Sequence, residues 1–254
     1  MTRRRGILIT GASSGLGEAL ALAYAEPGVT LFLSGRDAAR TESVASACRA
    51  KGAAAEGRVV DVTDSKAMAA WIAEAEMTAP LDLVIANAGI SGGTGAMSGE
   101  ASEQTRGIFA VNVDGVLNTV LPVIEPMRAR GSGQIVLMSS MAGFRGFPSA
   151  PAYSASKAAV RVWGEGLRGW LASSGVGVTV ICPGFVKSRI TARNRFPMPF
   201  LMEADAAARI MRRGIDANKA RIAYPWIVAA IMVALAALPP GWTDRLLRRL
   251  PGKE

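Results

Sequence analysis

The stretch Ile7-Leu8-Ile9-Thr10-Gly11-Ala12-Ser13-Ser14-Gly15-Leu16-Gly17 decides the fold of this chain. It starts as a short apolar strand, passes through a glycine-rich turn and continues into the helical pattern Leu16, Leu20, Ala23, Tyr24. Glycines let the backbone approach a pyrophosphate closely, and a helix start offers unpaired N–H groups and a positive dipole end. The turn therefore predicts an anion cradle. The glycines of this turn have the spacing G-x-x-x-G-x-G. The alternative to an anion-binding turn is a glycine-rich turn that binds no ligand.

The rest of the chain alternates apolar runs with helix-length segments, as a parallel sheet buried on both faces requires. The predicted strands are Ile7–Thr10, Val29–Leu33, Arg58–Val62, Leu81–Ala86, Gln134–Ser139 and Val176–Cys182, with a seventh at Ala220–Tyr224. The first predicted helix follows Gly15, and the later helices cover 38–50, 65–77, 101–129, 152–173 and 203–217. We expect an α/β fold with a single Rossmann-type, doubly wound parallel sheet of six to seven strands and helices on both faces. Residues 1–254 form one domain in this prediction, and its glycine turn indicates dinucleotide binding.

Tyr153 and Lys157 stand four residues apart in a predicted helix, so their side chains leave the same face one turn apart. An ammonium about 4 Å from a phenol favours the phenolate by about 4 kcal/mol at an effective dielectric near 20. That energy corresponds to roughly three pKa units. The spacing therefore predicts a Tyr153 with a lowered pKa that exchanges protons near neutral pH. The alternative is a helix that carries an unrelated tyrosine and a solvated lysine.

Several motifs in register indicate a known family. They are Thr10 to Gly17, Asn87-Ala88-Gly89, Asn112, Ser140, Tyr153-x-x-x-Lys157 and Pro183-Gly184-Phe185-Val186-Lys187-Ser188. Their order and distances resemble the short-chain dehydrogenase/reductases, and the resemblance covers roughly residues 5 to 190. Two positions depart from the pattern: Ala86 stands where many members carry Asn, and Ser188 where many carry Thr. Neither departure removes a group that the chemistry needs.

The resemblance implies four catalytic residues: Asn112, Ser140, Tyr153 and Lys157. Tyr153 protonates the carbonyl oxygen of the substrate, and Ser140 donates a hydrogen bond to the same oxygen. Lys157 lowers the Tyr153 pKa and binds the nicotinamide ribose. Asn112 holds a water that connects Lys157 to solvent. Two local alternatives stay open: Ser140 as a cap at a strand end, and Asn112 as a helix-interior amide satisfied by its neighbours.

The resemblance also implies a nicotinamide dinucleotide cofactor. Its predicted contacts are Gly11, Ser13, Ser14, Gly15, Leu16, Gly17, Arg36, Asp61, Val62, Asn87, Ala88, Gly89, Tyr153, Lys157, Pro183, Gly184, Val186 and Ser188. Asp61-Val62 would hold the adenine ring, and Asn87-Ala88-Gly89 would line the adenosine ribose and the approach to the nicotinamide.

The end of the second strand indicates which dinucleotide is bound. An acidic side chain there accepts a hydrogen bond from a ribose 2′-hydroxyl and repels a 2′-phosphate. This chain has Gly35 at that position, followed by Arg36, whose planar guanidinium suits a phosphate. We therefore expect NADP(H) in preference to NAD(H). A solvated Arg36 is the alternative, and Asp37 next to it weakens the preference.

The resemblance also implies that residues 187–217 form a lid that covers the substrate. From Phe185 to Met202 the sequence has no acidic residue. Its four basic residues are Lys187, Arg189, Arg193 and Arg195, and the apolar residues that follow them are Phe196, Met198, Phe200, Leu201 and Met202. A basic and apolar lid suits an amphiphilic substrate, such as a lipid ketone or an acyl chain on an acidic carrier. Equally, the cations could simply be solvated. The loop Ile90–Gly99 is expected to share in substrate selection.

Residues 225–254 form an apolar and then basic extension. Trp226 to Leu238 is a run of thirteen apolar residues, too short for the about 20 that span a bilayer. It predicts a buried or an interfacial helix, and Arg245-Leu246-Leu247-Arg248-Arg249-Leu250 predicts a short basic amphipathic end. Two uses stay open: a subunit interface in a homo-oligomer, either dimer or tetramer, or peripheral contact with anionic lipid.

Composition excludes several classes of function. The chain has no histidine, which excludes His-based triads and His metal ligands, and its two cysteines, Cys48 and Cys182, have no metal or disulfide spacing. We therefore predict no metal and a reducing compartment. The basic start lacks a secretory apolar region, which predicts a cytoplasmic protein, with association to a membrane as the open alternative. The net charge of +9 comes without a recognition motif, so we predict no nucleic-acid partner.

These patterns together predict an NADPH-dependent oxidoreductase. It would transfer hydride between the nicotinamide and a carbonyl or secondary alcohol of an apolar or amphiphilic small molecule, with Tyr153 as the acid and base. Two alternatives stay open: a cofactor-binding sensor or scaffold without chemistry, and an epimerase of the same family. Net consumption of NADPH with a panel of ketones distinguishes the three.

Overall fold

The structure, a computed structural model, describes residues 5–94, 99–194 and 196–247. Four parts of the predictions above include positions outside these ranges: the basic start, the loop Ile90–Gly99, Arg195 in the lid and the end of the basic segment Arg245–Leu250.

Seven strands of the described chain form one parallel sheet. They are β1 (Gly6–Ile9), β2 (Thr30–Gly35), β3 (Ala54–Val59), β4 (Leu81–Ala86), β5 (Gly133–Met138), β6 (Val176–Pro183) and β7 (Arg221–Tyr224). The order across the sheet is β3-β2-β1-β4-β5-β6-β7. Strand order reverses between β1 and β4, so the loops at their carboxyl ends diverge and leave a crevice there.

The helices are α1 (Gly15–Tyr24), α2 (Ala38–Ala50), α3 (Ser65–Thr78), α4 (Ser102–Phe109), α5 (Gly115–Arg130), α6 (Pro151–Leu171), α7 (Ala204–Asp216), α8 (Trp226–Ala237) and α9 (Pro240–Leu247). One buried cluster joins α1, α2 and α7 to one face of the sheet, through Leu20, Val44 and Met211. A second cluster joins α3, α5 and α6 to the other face. The predicted doubly wound architecture is confirmed.

The third strand differs from its prediction. Arg58–Val62 was expected, and the observed strand is Ala54–Val59, which pairs with β2 from Thr30 opposite Ala54 to Gly35 opposite Val59. This strand lies at the edge of the sheet and is only partly buried, so it needs no continuous apolar run. The apolar Val60 and Val62 follow the strand, where they join the core and the cleft.

The predicted helix 101–129 forms as α4 and α5, joined by a π-helical turn at Ala110–Asp114. By length and composition alone, the stretch Ser102–Arg130 could cross a membrane. In this fold, however, α5 buries side chains such as Val116, Val120 and Met127 against the sheet and α3. Its apolar character is therefore that of a core helix.

The C-terminal apolar run forms α8, and most of that helix is exposed. Met232 is buried, whereas Trp226 is 75% exposed and Ile231 is 52% exposed. The prediction of a buried helix is therefore wrong for most of α8. The two uses that require an exposed face, a subunit contact and a lipid contact, stay open.

Candidate active site

A cleft of about 870 Å³ opens at the carboxyl ends of the strands, where the crevice between β1 and β4 was expected. Its volume lies in the upper part of the range for ligand sites. The predicted residues that line it are Gly11, Ser13, Ser14, Gly15, Leu16, Arg36, Asp61, Val62, Asn87, Ala88, Gly89, Ser140, Tyr153, Lys157, Pro183, Gly184, Val186 and Ser188. Two predicted residues, Gly17 and Asn112, lie behind its wall instead.

Gly17 closes the glycine turn against the start of α1. A Cβ atom at this position would lie 2.3 Å from the Gly11 carbonyl oxygen and 2.6 Å from Asn87 Nδ2. Only glycine allows this approach. The turn is also tied to the end of β4, because Asn87 Nδ2 donates to the carbonyl oxygen of Thr10 at 2.9 Å and to that of Gly11 at 3.2 Å. Asn87 thus holds the shape of the cradle from behind.

Tyr153 lies in the first turn of α6, opposite the end of β5. Its side chain forms a hydrogen bond with Ser140, which follows β5. Ser140 Oγ also accepts from the backbone N–H of Ala142 at 3.1 Å. Ser140 therefore caps the short helical turn at Met141–Gly143, as its local alternative expected, and faces the cleft beside Tyr153 as well.

Lys157 lies one turn further along α6 and is only 4% exposed. Its Nζ donates to the carbonyl oxygen of Met138 at 2.9 Å. Its own carbonyl oxygen accepts from Ser139 Oγ at 2.7 Å. These two bonds fix α6 to the end of β5. They place Nζ 5.9 Å from the centre of the Tyr153 ring.

The pKa of Tyr153 differs from the prediction. Burial raises it above the ordinary value of 10.0, and the hydrogen bond with Ser140 opposes that rise only in part. Burial also lowers the pKa of Lys157 to about 8. The same removal from water that brings the pair together disfavours both charged forms. The predicted lowering of the Tyr153 pKa is therefore wrong for the chain by itself.

Asn112 lies in the π-helical turn and is fully buried. Its Oδ1 accepts from the Ile90 N–H at 2.8 Å, and its Nδ2 donates to the Ile90 carbonyl oxygen at 2.9 Å and to Ser156 Oγ at 3.0 Å. The local alternative for Asn112 matches these bonds. They connect the loop after β4 to α6, and such turns frequently accompany functional sites. Its water-binding role stays a prediction.

The sequence of the chain matches the short chain dehydrogenase family over residues 5–197. The chain belongs to this family. An uncharacterized oxidoreductase from Myxococcus xanthus is 43% identical to this short-chain dehydrogenase over 97% of each chain.

Two solved structures share the fold. One is a short-chain dehydrogenase from Sphingobium yanoikuyae in complex with NADPH, with a TM-score of 0.82, 28% identity and coverage of 97% of this chain and 96% of that one. The other, from Burkholderia phymatum in complex with NAD, has a TM-score of 0.82, 26% identity and coverage of 100% and 99%. This short-chain dehydrogenase is thus an oxidoreductase of a fold that holds nicotinamide dinucleotides.

At the end of the cleft beside β2, the structure of this short-chain dehydrogenase adds two residues that the motifs missed, Ser34 and Arg40, next to Gly35. Arg40 lies in the first turn of α2, three residues after Asp37, whose side chain caps this helix. The sequence signal that could have identified Arg40 was this Asp at the start of a predicted helix. Among the described residues, the buried atoms Ser34 Oγ and Arg40 Nε have no hydrogen-bond partner. Such orphaned donors at the end of a cleft fit an anionic group.

The two ends of the basic and apolar segment from Phe185 to Met202, in the first half of the predicted lid, lie side by side. The Lys187 N–H donates to the Met202 carbonyl oxygen at 2.9 Å, and the Met202 N–H donates to the Phe185 carbonyl oxygen at 3.0 Å. Lys187 forms an ion pair with Glu203, so this cation has an acidic partner directly after Met202. Arg189 lines the cleft.

The lid also presents apolar side chains to solvent. Ile190 is 40% exposed and Phe200 is 54% exposed. Thr191 and Ala192 of this segment line the cleft, as do Ile90, Ser91 and Gly92 of the loop that was expected to share in substrate selection. Gln104 and Val111 also line the cleft and belong to no predicted motif. No spacing rule identifies these two positions, because the path of the chain decides them.

Proposed function

We propose that this protein is an NADP(H)-dependent oxidoreductase that interconverts a carbonyl group and a secondary alcohol on an apolar or amphiphilic small molecule. One observation carries the proposal: Tyr153 and Ser140 are hydrogen-bonded to each other at the wall of a dinucleotide-sized cleft, with Lys157 one turn behind. The family membership supports the reaction class.

A bound nicotinamide supplies or accepts the hydride. In the reducing direction, Tyr153 Oη gives its proton to the carbonyl oxygen as negative charge develops there. The raised pKa of Tyr153 keeps the phenol protonated at neutral pH, which is the form that donates. Ser140 Oγ donates a hydrogen bond to the same oxygen. The ammonium of Lys157 stabilises the phenolate that remains after the transfer.

The preference for NADP(H) is supported by the environment of Gly35. A Cβ atom at this position would lie 2.5 Å from Thr41 Oγ1 and 2.8 Å from Ser13 Cβ, so no acidic side chain fits there. Asp37 is occupied as the cap of α2: its Oδ1 accepts from the Arg40 N–H at 3.0 Å, and its Oδ2 pairs with Arg40 Nη2 at 2.9 Å. Arg36 and Arg40 both line the cleft beside Gly35, and they would be the cations that hold a 2′-phosphate.

Replacing Arg36 with alanine tests this assignment. Loss of one charge-assisted contact to a phosphate costs about 1.5 to 3 kcal/mol, so we expect the KM for NADPH to rise by about 10- to 100-fold. The KM for NADH should change little. Arg49→Ala on the far end of α2 is the matched control, because Arg49 pairs with Glu42 away from the cleft. Steady-state kinetics with both cofactors measures the effect. Equal or better catalytic efficiency of the wild type with NADH would contradict the proposal.

The exposed apolar side chains of the lid and the cation Arg189 at the cleft support an amphiphilic substrate. We expect net oxidation of NADPH, followed by absorbance, to be faster with long-chain acyl ketones than with short polar ketones. A clear preference for the polar ketones would overturn the substrate class. Cofactor binding without any turnover across the panel would indicate a sensor, and conversion of an alcohol without net NADPH consumption would indicate an epimerase.

A further inference from the structure

The exposed side of the C-terminal segment is an apolar face, which we call the apolar platform. It consists of Trp226, Ile227, Ile231, Val233 and Leu238 around α8, with Trp242 on α9. Trp226 is 75% exposed and Trp242 is 77% exposed. A helix that packs on a soluble core from one side carries polar residues on its other side. No charged residue occurs from Ile222 to Thr243, so this segment lacks such a polar side.

The apolar platform is fixed to the folded body at both ends. Before α8, the Tyr224 carbonyl oxygen accepts from the Gly184 N–H at 2.8 Å, in the loop after β6. After α8, the Leu238 carbonyl oxygen accepts from Arg145 Nη1 at 3.0 Å, in the loop after β5. Arg145 also bonds to the buried Thr243 of α9. Both loops follow carboxyl ends of strands, so α8 lies along the edge of the sheet where the cleft opens.

We propose that the apolar platform docks this protein on an anionic lipid surface, with the mouth of the cleft at the docked edge. At 1.5 Å per residue, the twelve residues of α8 extend about 18 Å, well short of a hydrocarbon core of about 30 Å. The helix therefore lies in the interface rather than across it. Tryptophans near the two ends of the segment match this position, because indole rings favour the headgroup level.

The positive charge of the chain favours an anionic lipid surface, rather than a second copy of the chain, as the partner of the apolar platform. The end of the sequence has four basic residues, Arg245, Arg248, Arg249 and Lys253, against two acids, Asp244 and Glu254, and the whole chain carries +9. An isologous contact between two platforms would bring together two chains that each carry this positive charge, whereas anionic headgroups neutralise it. Separate apolar side chains on α5 and α6, namely Leu121, Val162 and Trp170, are exposed for a subunit contact elsewhere. A subunit contact would therefore have an apolar surface other than the apolar platform.

Flotation of the full chain with vesicles tests the proposal, without cofactor or substrate. We expect binding to vesicles of phosphatidylcholine mixed with phosphatidylglycerol, and at least about tenfold weaker binding to phosphatidylcholine alone or at high salt. The double variant Trp226→Ser with Trp242→Ser should bind the anionic vesicles at least about tenfold more weakly. Trp170→Ser is the matched control, because it removes a 57% exposed tryptophan from α6 and should leave binding unchanged.

Absence of wild-type binding to anionic vesicles, or equal binding by the double variant and the wild type, would overturn the proposal. The competing outcome is that the apolar platform is a subunit interface, and light scattering identifies it. In that case the double substitution dissociates an oligomer, and the wild type does not bind vesicles. Thermal unfolding of the double variant should match the wild type, because both tryptophans are exposed. These measurements involve no turnover, so their failure is distinguishable from failure of the proposed oxidoreductase activity.

Discussion

Replacing Tyr153 with phenylalanine should lower the turnover number by about 10³-fold and leave the dissociation constant for NADPH within about twofold of the wild type. The substitution removes one hydroxyl and keeps the ring, so the wall of the cleft keeps its shape. The hydroxyl is the group that bonds to Ser140 and, in the proposed reaction, gives its proton to the carbonyl oxygen. Without it the developing negative charge has no positioned acid.

Tyr24→Phe is the matched control for this experiment. It removes the same hydroxyl from a tyrosine that donates to Asp216 Oδ1 at 3.2 Å, on the opposite side of the sheet from α6. We expect its turnover to equal that of the wild type. Cofactor fluorescence measures NADPH binding, and single-turnover kinetics measures the chemical step. Wild-type turnover by the Tyr153 variant would remove Tyr153 from its role as proton donor.

The sequence was most informative where one local pattern decides the geometry. The turn from Gly11 to Gly17 must lie between a strand and a helix, and Lys157 must lie one helical turn after Tyr153. Once the parallel sheet is expected, the carboxyl ends of its strands bring these motifs to one edge. The observed cleft contains nearly all of them for this reason.

The sequence was least informative where the environment decides a property. The spacing of Tyr153 and Lys157 predicts attraction between their charges, but their burial, which reverses the direction of the Tyr153 shift, depends on the packing of α6 against β5. Ser34 and Arg40 belong to no motif, and only the path of the chain brings them into the cleft. Likewise, the run Trp226–Leu238 is apolar enough for a core, and its exposure follows from its position at the sheet edge.

Replacing Lys157 with methionine should impair the enzyme and stabilise its fold. Catalytic efficiency should fall by at least about 10²-fold, because the ammonium that stabilises the Tyr153 phenolate is lost. The free energy of unfolding at pH 7 should rise by about 2 kcal/mol. Burial lowers the pKa of Lys157 from 10.5 to about 8, which corresponds to a penalty of about 3 kcal/mol for holding the charge in the folded state. The lost hydrogen bond to Met138 offsets about 1 kcal/mol of that gain.

The dependence of this stabilisation on pH identifies its cause. Below pH 8 Lys157 is protonated in both the folded and the unfolded chain, so the penalty is complete and the variant has its full advantage. Between pH 8 and pH 10.5 the unfolded chain binds more protons at this site, so the wild type gains stability and the difference shrinks. Urea unfolding of both proteins across this range measures it, and the exposed Lys66→Met on α3 should differ from the wild type by less than about 0.5 kcal/mol throughout. A variant less stable than the wild type at pH 7, by an amount independent of pH, would show that the fold gains rather than loses by burying this ammonium.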